Sequence, residues 1–188
     1  MNMKIKIATA AFVGLTFAIC SFPCSTTHPI SPDEIVRKAD VIVRARAESL
    51  VHAASVPNSY PPDSMVQFKV LEVVRGQMPE DRLELRGALV DTDDFNDLKP
   101  PYKFVRPDGR SGSCFATSYR GGAQYLLMLK GTKWRGYTVE WYALGPVNEQ
   151  LHSAEDPWLI WVRAQARQPA SVRIEPKSRC AVSEARVR

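Results

Sequence analysis

Four cysteines carry the most readily interpreted chemistry in this 188-residue chain. They are Cys20, Cys24, Cys114 and Cys180, and no two of them are spaced as Cys-x-x-Cys. A zinc site built on cysteines is therefore not expected. Four cysteines can pair in three ways, and the sequence alone leaves these alternatives open. Whether the thiols pair at all depends on the compartment, because disulfides form and persist in oxidising surroundings.

The other reactive side chains form no catalytic pattern. The histidines are His28, His52 and His152, none of them at metal-ligand spacing, and the sequence has no HExxH, phosphate-loop or Gly-x-Ser-x-Gly motif. Four aspartates between 91 and 97 lack the central glycine and the final glutamate of a calcium loop, so we predict a solvated acidic loop. We expect no enzymatic activity, no bound metal and no cofactor.

The first 20 residues have the pattern of an export signal. Two lysines precede an apolar run at 7–19, which is too short to span a bilayer comfortably. Small residues at 18 and 20 predict cleavage before Ser21, which would place the mature protein in the periplasm or outside the cell. The alternative is lipidation of Cys20, which would tether the protein to a membrane. Ile19 is larger than the residue that a lipidation motif prefers at that position.

The charge of the chain is concentrated at its ends. The formal net charge of +5 falls to +3 without residues 1–20, and the tail 168–188 holds five basic and two acidic residues. The body between them is neutral, which argues against nucleic-acid binding. Four arginines could line an oligomer-binding groove, and Tyr125 and Trp134 are the aromatic residues that could stack on bases there. We interpret these arginines instead as residues on the solvent-exposed faces of amphipathic strands. These arginines are Arg44, Arg46, Arg82 and Arg86.

Local patterns predict a mainly β domain between two helices. Ser31, Pro32 and Glu34 form a helix start with a capping box. A second helix, capped by Ser153, carries Trp158 and Trp161 as core anchors. Alternating or continuous apolar residues predict five strands between the helices. The five strands cover residues 41–47, 65–75, 82–88, 123–129 and 135–144.

The order of these elements favours a five-stranded Greek-key barrel of the OB type, with one short helix before it and one helix after it. Residues 91–122 form a long irregular loop, which in a compact domain indicates function or partial disorder. We place the domain at 21–167 and predict a disordered basic tail at 168–188.

Three stretches resemble a known family. "CSTTHPISPDEIVRKADVIVRARAESL", "FKVLEVVRG" and "SCFATSYRGGAQYLLMLKG" are similar, in order and spacing, to segments of the netrin-like domain and of the tissue inhibitors of metalloproteinases. The resemblance covers about residues 24–166. It implies an OB-type barrel flanked by helices, in agreement with the strand order.

The resemblance also implies roles for particular residues. Cys24 and Cys114 match two cysteines that are disulfide-bonded in the family. The inhibitors chelate the protease zinc through the free amino group and carbonyl of that first cysteine, and the next residue, here Ser25, enters a specificity pocket. Thr26 stands where the inhibitors have a second cysteine. Chelation would require Cys24 to be the first residue of the mature chain.

We therefore expect an exported, non-enzymatic binding or protein-interaction module. Its protein partner is not identified by the sequence, and a metalloprotease is one candidate. Its working surface is predicted at residues 24–29 and the loop 91–122. One alternative is a metalloproteinase inhibitor acting through Cys24, and another is a barrel that binds an oligonucleotide or oligosaccharide. The predicted partner-binding residues are Cys24, Ser25, Thr26, His28, Tyr102, Phe104 and Tyr119.

Overall fold

The computed structural model describes residues 30–52, 63–110, 116–133, 136–142 and 145–168. Within these ranges the chain is mainly β, as the sequence predicts. The elements are α1 (Pro32–Lys38), β1 (Val41–His52), β2 (Met65–Arg75), β3 (Arg82–Arg86), β4 (Ala88–Val90), α2 (Pro107–Arg110), β5 (Ser118–Arg120), β6 (Gln124–Gly131), β7 (Tyr137–Val139), β8 (Trp141–Tyr142), β9 (Gly145–Pro146), β10 (Asn148–Leu151) and α3 (Pro157–Ala166).

One antiparallel sheet of six strands organises the fold. Its order is β10-β6-β1-β2-β3, and β7 pairs with β6 beside β10. The first half of β6 pairs with β10, and its last three residues pair with β7. Between β7 and β10 the chain forms the short β8–β9 hairpin, which does not pair with β6 among the described residues. A separate parallel pair joins β4 to β5. No ladder joins β3 to β7 in the described ranges, so the predicted OB-type barrel is not closed there.

The strand pattern of β1 explains why the sheet has two different faces. Val43, Ala45 and Ala47 are fully buried, whereas Arg46 and Glu48 between and beyond them are exposed. This is the period of two that the sequence predicts. The strand runs to His52, five residues further than the alternating apolar residues alone indicated.

Two hydrophobic cores lie on opposite faces of the sheet. The first packs α1 and α3 against β1 and β6, and Ile35, Ile42 and Trp158 are among its buried members. The second lies inside the curl of the sheet and includes Phe68 and Leu127. Each fully buried side chain of this size contributes roughly 1.5–3 kcal/mol to stability. The first core holds the two helices on one face of the sheet, and the second fills the other face.

The helix starts differ in how well the sequence predicted them. Ser31 caps α1 as predicted, and its hydroxyl accepts a hydrogen bond from the backbone of Glu34 at 3.3 Å. The prediction that Ser153 caps α3 is wrong, because Asp156 takes that position and accepts from the backbone of Trp158 at 2.9 Å. Pro157 directly follows Asp156, and proline is favoured at the first helical position.

Strand β10 was not predicted. Its sequence, Asn148-Glu149-Gln150-Leu151, has three polar residues in a row, yet all four residues are buried. The sequence predicted a continuous strand at 135–144, whereas the structure divides this region into β7 and the β8–β9 hairpin and then continues into β10. A polar strand can be buried here because the loop after β4 covers it. None of the described helices is long and apolar enough to cross a membrane.

Candidate functional site

The N-terminal half of the predicted site lies outside the described residues. This applies to Ser25, Thr26 and His28, and to both members of the Cys24–Cys114 pair. The disulfide therefore stays a prediction. The same is true of zinc chelation by Cys24.

The structure describes three of the predicted partner-binding residues and separates them. Tyr102 and Tyr119 are 2% and 1% exposed, so both side chains belong to the hydrophobic cores. The ring of Tyr102 lies 4.3 Å from that of Trp158, and the ring of Tyr119 lies 4.9 Å from that of Phe68. Phe104 is 46% exposed. Of the three, Phe104 is the residue that a partner can reach.

Phe104 belongs to residues 97–104, a segment with mostly exposed side chains that we call the loop tip. Asn96 closes the base of the loop tip, because its side-chain amide donates to the carbonyl of Phe104 at 3.1 Å. Its side-chain oxygen accepts from the backbone of Leu98 at 3.3 Å. The indole of Trp158 donates to the carbonyl of Asn96 at 3.1 Å. These bonds hold both ends of the loop tip against α3.

A buried arginine holds the segment that follows the loop tip. Arg106 is completely buried, and its guanidinium lies 2.8 Å from the carboxylate of Asp94. It donates to the carbonyls of Ala116 and Ser118 at 3.0 and 2.9 Å and to the side chain of Asn148 at 3.3 Å. Burying this charge is tolerable because it has an ion pair and several acceptors. The loop is thereby attached to β10 and to the strand β5.

Two tyrosine rings complete the surroundings of this guanidinium. The centre of the Arg106 guanidinium lies 5.5 Å from the ring centres of Tyr119 and of Tyr125, which is cation–π distance. Burial raises the pKa of Tyr125 to about 12, although Arg106 nearby works in the opposite direction. Both phenols therefore stay neutral over the physiological range. They act as packing surfaces and hydrogen-bonding groups in the interior.

Glu149 on β10 is the most perturbed carboxyl group in the described ranges. It is fully buried, and neither of its side-chain oxygens has a hydrogen bond of normal geometry within the described structure. Burial raises its pKa to about 8, while Arg106 and Asn96 lower the value by smaller amounts. The carboxyl group is therefore largely protonated at neutral pH. Raised pKa values are common in active sites, but this carboxyl group has no exposed surface through which a substrate could reach it.

The acidic run before the loop tip is not simply solvated, contrary to the prediction from its sequence. Asp94 accepts from the buried Arg106 and from the backbone of Asp108. Asp93 accepts two bonds from Arg120 at 2.6 Å, and this hydrogen bonding is the main reason its pKa is lowered. The backbone of Asp94 donates to the side chain of Gln150 at 2.8 Å. These aspartates attach the start of the loop to the sheet.

His152, whose ring lies near Asp97 of the loop tip, contacts other side chains of the chain. The ring of His152 stacks on that of Phe95 at 3.8 Å, and its Nδ1 lies 3.0 Å from the carboxylate of Asp156. Within the described ranges, no group of three or more His, Cys, Asp or Glu side chains is placed to hold a metal ion.

Apolar side chains and lysines share the exposed face of the loop tip. Leu98 and Phe104 are 40% and 46% exposed, which is high for large apolar residues. Lys99 and Lys103 are exposed beside them, and the ammonium group of Lys103 lies 5.9 Å from the ring centre of Phe104. The result is an apolar centre with basic neighbours, on a base that the Asn96 side chain joins by hydrogen bonds. This arrangement suits contact with a partner protein.

A groove on another side of the molecule was not predicted. It lies between β3 and the β6–β7 hairpin and has a volume of about 780 Å³. Its walls combine apolar side chains such as Met78 and Tyr137 with charged ones such as Arg82 and Glu84. Arg82 donates to the side chain of Gln67 at 2.7 Å within this groove. No motif in the sequence signals it, because it arises from the curl of the sheet.

Most of the arginines that could line an oligomer-binding face lie on the solvent-exposed faces of amphipathic strands, as predicted. Arg46, Arg82 and Arg86 are exposed. Arg44 is partly buried and donates to Glu72 at 3.2 Å. Tyr125 is fully buried, so it offers no stacking surface to a base.

Two comparisons with known proteins identify no relative. No protein-family model matches the chain, and the search of curated proteins found no match. The resemblance to the netrin-like domain therefore stays a prediction from the sequence.

Proposed function

We propose that this chain is an exported, non-enzymatic protein-interaction module that binds its partner through the loop tip. The observation that carries the proposal is the exposure of Leu98 and Phe104 on a segment whose base is fixed by buried polar contacts. The partner that fits this surface is a protein with an apolar pocket bordered by acidic side chains.

The fixed base favours tight binding because less conformational entropy is lost on association. Asn96 joins the two ends of the loop tip, and Arg106 attaches the following segment to β5 and β10. Tyr102 lies beneath, packed against the two tryptophans of α3. A loop held in this way presents its exposed side chains in one arrangement.

The chemistry of the exposed residues suggests how the binding energy is distributed. A few large side chains carry most of the energy at protein interfaces, and Phe104 is the largest exposed apolar residue of the loop tip. Lys99 and Lys103 can steer an acidic partner and increase the association rate. Their effect on the final affinity should be smaller, because both lysines remain near solvent.

Export is part of the proposal and rests on the sequence. A basic start and an apolar run at 7–19 support cleavage before Ser21 and delivery to the periplasm or the exterior. If Cys20 is lipidated instead, the module would act at a membrane surface. Either location is oxidising enough for the predicted Cys24–Cys114 disulfide.

We also propose that the curled sheet is a partly open barrel of the OB type. The supporting observation is the strand order β7-β6-β1-β2-β3 around the second hydrophobic core. OB-type barrels are five-stranded and can be partly open. Here the opening would lie between β3 and β7.

A binding assay with surface variants tests the proposed function. The full chain, exported by its own signal and immobilised, would be exposed to an envelope extract and then to the purified protein that it retains. We expect Phe104→Ser to weaken binding of that protein by at least about tenfold, the scale of a central interface residue. The matched control is Ile160→Ser on α3, since Ile160 is also exposed, at 52%. Equal loss in both variants, or loss in neither, would refute the loop tip as the binding surface.

A further inference from the structure

Two strands of the sheet have edges that face each other without pairing. They are β3 and β7, and no ladder connects them in the described part of the chain. Their Cα atoms approach within 8 Å, whereas paired strands lie about 4.8 Å apart. The groove of about 780 Å³ lies along this seam. Such unpaired edges are templates for another strand.

The hydrogen-bond pattern shows which groups of β3 face the seam. The backbone of Val70 donates to the carbonyl of Asp81 at 2.7 Å, and Phe68 is the register partner of Leu83. In an antiparallel pair the bonded positions alternate. The backbone groups of Leu83 therefore point to β2, and those of Glu84 point to the seam. By the same alternation, the backbone groups of Arg82 and Arg86 also point to the seam.

The opposite wall has a similar edge. The backbone of Glu140 donates to the carbonyl of Met128 at 2.7 Å, and that of Thr132 donates to Gly136 at 2.8 Å. The same alternation directs the backbone groups of Thr138 to β6 and those of Tyr137 and Val139 to the seam. Both walls thus offer donors and acceptors to an extended chain.

The side chains of β3 define what kind of chain would fit. Leu83 and Leu85 are buried on the core side of the strand, while the three residues alternating with them are exposed. Their charges alternate as Arg82, Glu84 and Arg86. A strand beside β3 would be stabilised by opposite charges at the facing positions and by apolar residues between them.

We propose that β3 binds an extended peptide segment of another protein by strand addition, and that the segment has the pattern acid–apolar–base–apolar–acid. The acids would face Arg82 and Arg86 and the base would face Glu84. The apolar residues would lie on the core side, near Met78 and Tyr137 of the groove. Main-chain hydrogen bonds would supply affinity and the alternating side chains would supply selectivity.

A second copy of this chain fits the same edge less well. Complete antiparallel pairing of two β3 strands would oppose Arg82 with Arg86 and Glu84 with its own counterpart, and like charges in facing positions are destabilising. The registers that place opposite charges together overlap by only three residues. The charge pattern therefore favours a different sequence over self-association.

Room for the peptide requires a small outward movement of the hairpin. Two strand spacings amount to about 9.6 Å, somewhat more than the present separation of the closest parts of the walls. The hairpin is the element that we expect to move, because the β6–β7 ladder has only three residue pairs, with one backbone hydrogen bond beyond each end. Its displacement would leave the pairing of β1, β2 and β3 intact.

Fluorescence anisotropy with two labelled peptides tests this proposal on the full chain. One peptide contains Glu-Val-Lys-Val-Glu and the other contains the charge-inverted Lys-Val-Glu-Val-Lys, both with the same neutral flanks. We expect the first to bind about tenfold more tightly, and we expect Glu84→Lys to reduce or invert this preference. Glu34→Lys makes the same charge change on α1, and Phe104→Ser alters the loop tip. Both variants should retain the preference, so this result is independent of the proposed function.

Amide hydrogen exchange distinguishes strand addition from simple ionic contact. The first peptide should slow exchange at the amides of Arg82, Glu84 and Arg86 and leave those of Leu83 and Leu85 unchanged. N-methylation of the peptide backbone on its bonding side should abolish binding. Equal affinity for the two peptides, unchanged exchange at the three amides, or dimerisation of the chain in place of peptide binding would each overturn the proposal.

Discussion

The guanidinium of Arg106 lies 2.8 Å from the carboxylate of Asp94, and the arginine side chain has no exposed surface. This ion pair connects the beginning and the end of the loop that covers β10. Because the same guanidinium also donates to β5 and β10, one residue coordinates three separate parts of the chain. The proposed presentation of the loop tip depends on it.

Replacing this arginine should destabilise the protein strongly. Arg106→Ala leaves Asp94 without its buried partner and removes donors from two carbonyl groups, so we expect a loss of roughly 3–5 kcal/mol in the free energy of unfolding. Urea unfolding followed by tryptophan fluorescence would measure it. Arg110→Ala is the control, since Arg110 is exposed nearby on α2. A loss below about 1 kcal/mol for Arg106→Ala would contradict the central role of this residue.

Stability should fall as the pH rises from about 5 to 8 because of Glu149. Burial raises the pKa of this carboxyl group from 4.5 to about 8 in the folded state. Between these values the folded protein holds a proton that the unfolded chain releases. The resulting stabilisation of the protonated form is complete below the unfolded pKa and is lost as the pH passes through the folded pKa.

The variant Glu149→Gln removes this titration and keeps the shape of the side chain. The stability difference between variant and wild type should therefore grow in favour of the variant by up to about 1.4 kcal/mol per pH unit across this range. The control Glu84→Gln makes the same replacement at an exposed position, and the trend should be specific to Glu149. Parallel profiles for wild type and Glu149→Gln would show that Glu149 titrates normally.

A glycine at the end of β2 should not tolerate a side chain. Gly76 has a φ of +81°, and a Cβ atom added there would lie 2.4 Å from the carbonyl oxygen of Asp40. Gly76→Ala should therefore cost on the order of 1–3 kcal/mol in stability from backbone strain, with the steric contact adding to it. Gly121→Ala is the matched control, because a Cβ atom at Gly121 meets nothing within 4 Å. Thermal unfolding of both variants would check this, and equal melting temperatures would contradict it.

The attachment of α3 to the sheet should weaken in acid. Glu72 on β2 accepts hydrogen bonds from Arg163 at 2.9 and 2.6 Å, and this contact is the main reason its pKa is lowered. The stabilisation is present above the unfolded pKa of 4.5 and is lost as the pH falls through the lowered folded value. Glu72→Gln should cost about 1 kcal/mol at pH 7 and less at pH 3. The control Glu80→Gln makes the same replacement in an exposed loop, and urea unfolding would compare the two variants.

The sequence predicted the regular parts of the fold because local patterns determine them. The alternation in β1 and β2 and the capping residues at Ser31 are visible without knowledge of any contact. Helix α3 was predicted as well, although its cap was placed three residues too early. In each of these elements, the burial or the hydrogen bonds depend mainly on neighbours in the sequence.

The candidate site was less predictable because its contacts join distant segments. The burial of Arg106 depends on Ser118 of β5 and Asn148 of β10, which lie 12 and 42 residues further along the chain. The burial of Glu149 depends on the loop that covers its strand. Tyr102 and Phe104 are two residues apart, yet one is buried and the other is exposed. Only the folded arrangement shows which of them a partner can reach.

Site-specific photo-crosslinking would test whether the partner binds at the loop tip. A photoreactive phenylalanine analogue would replace Phe104 in the full exported chain, and the same analogue would replace Ile160 in a second preparation. We expect a crosslink to one partner protein from position 104 and no such crosslink from position 160. Unlabelled wild type should abolish the crosslink from position 104, and unlabelled Phe104→Ser should not. A crosslink to the same partner from position 160 but not from 104 would contradict binding at the loop tip.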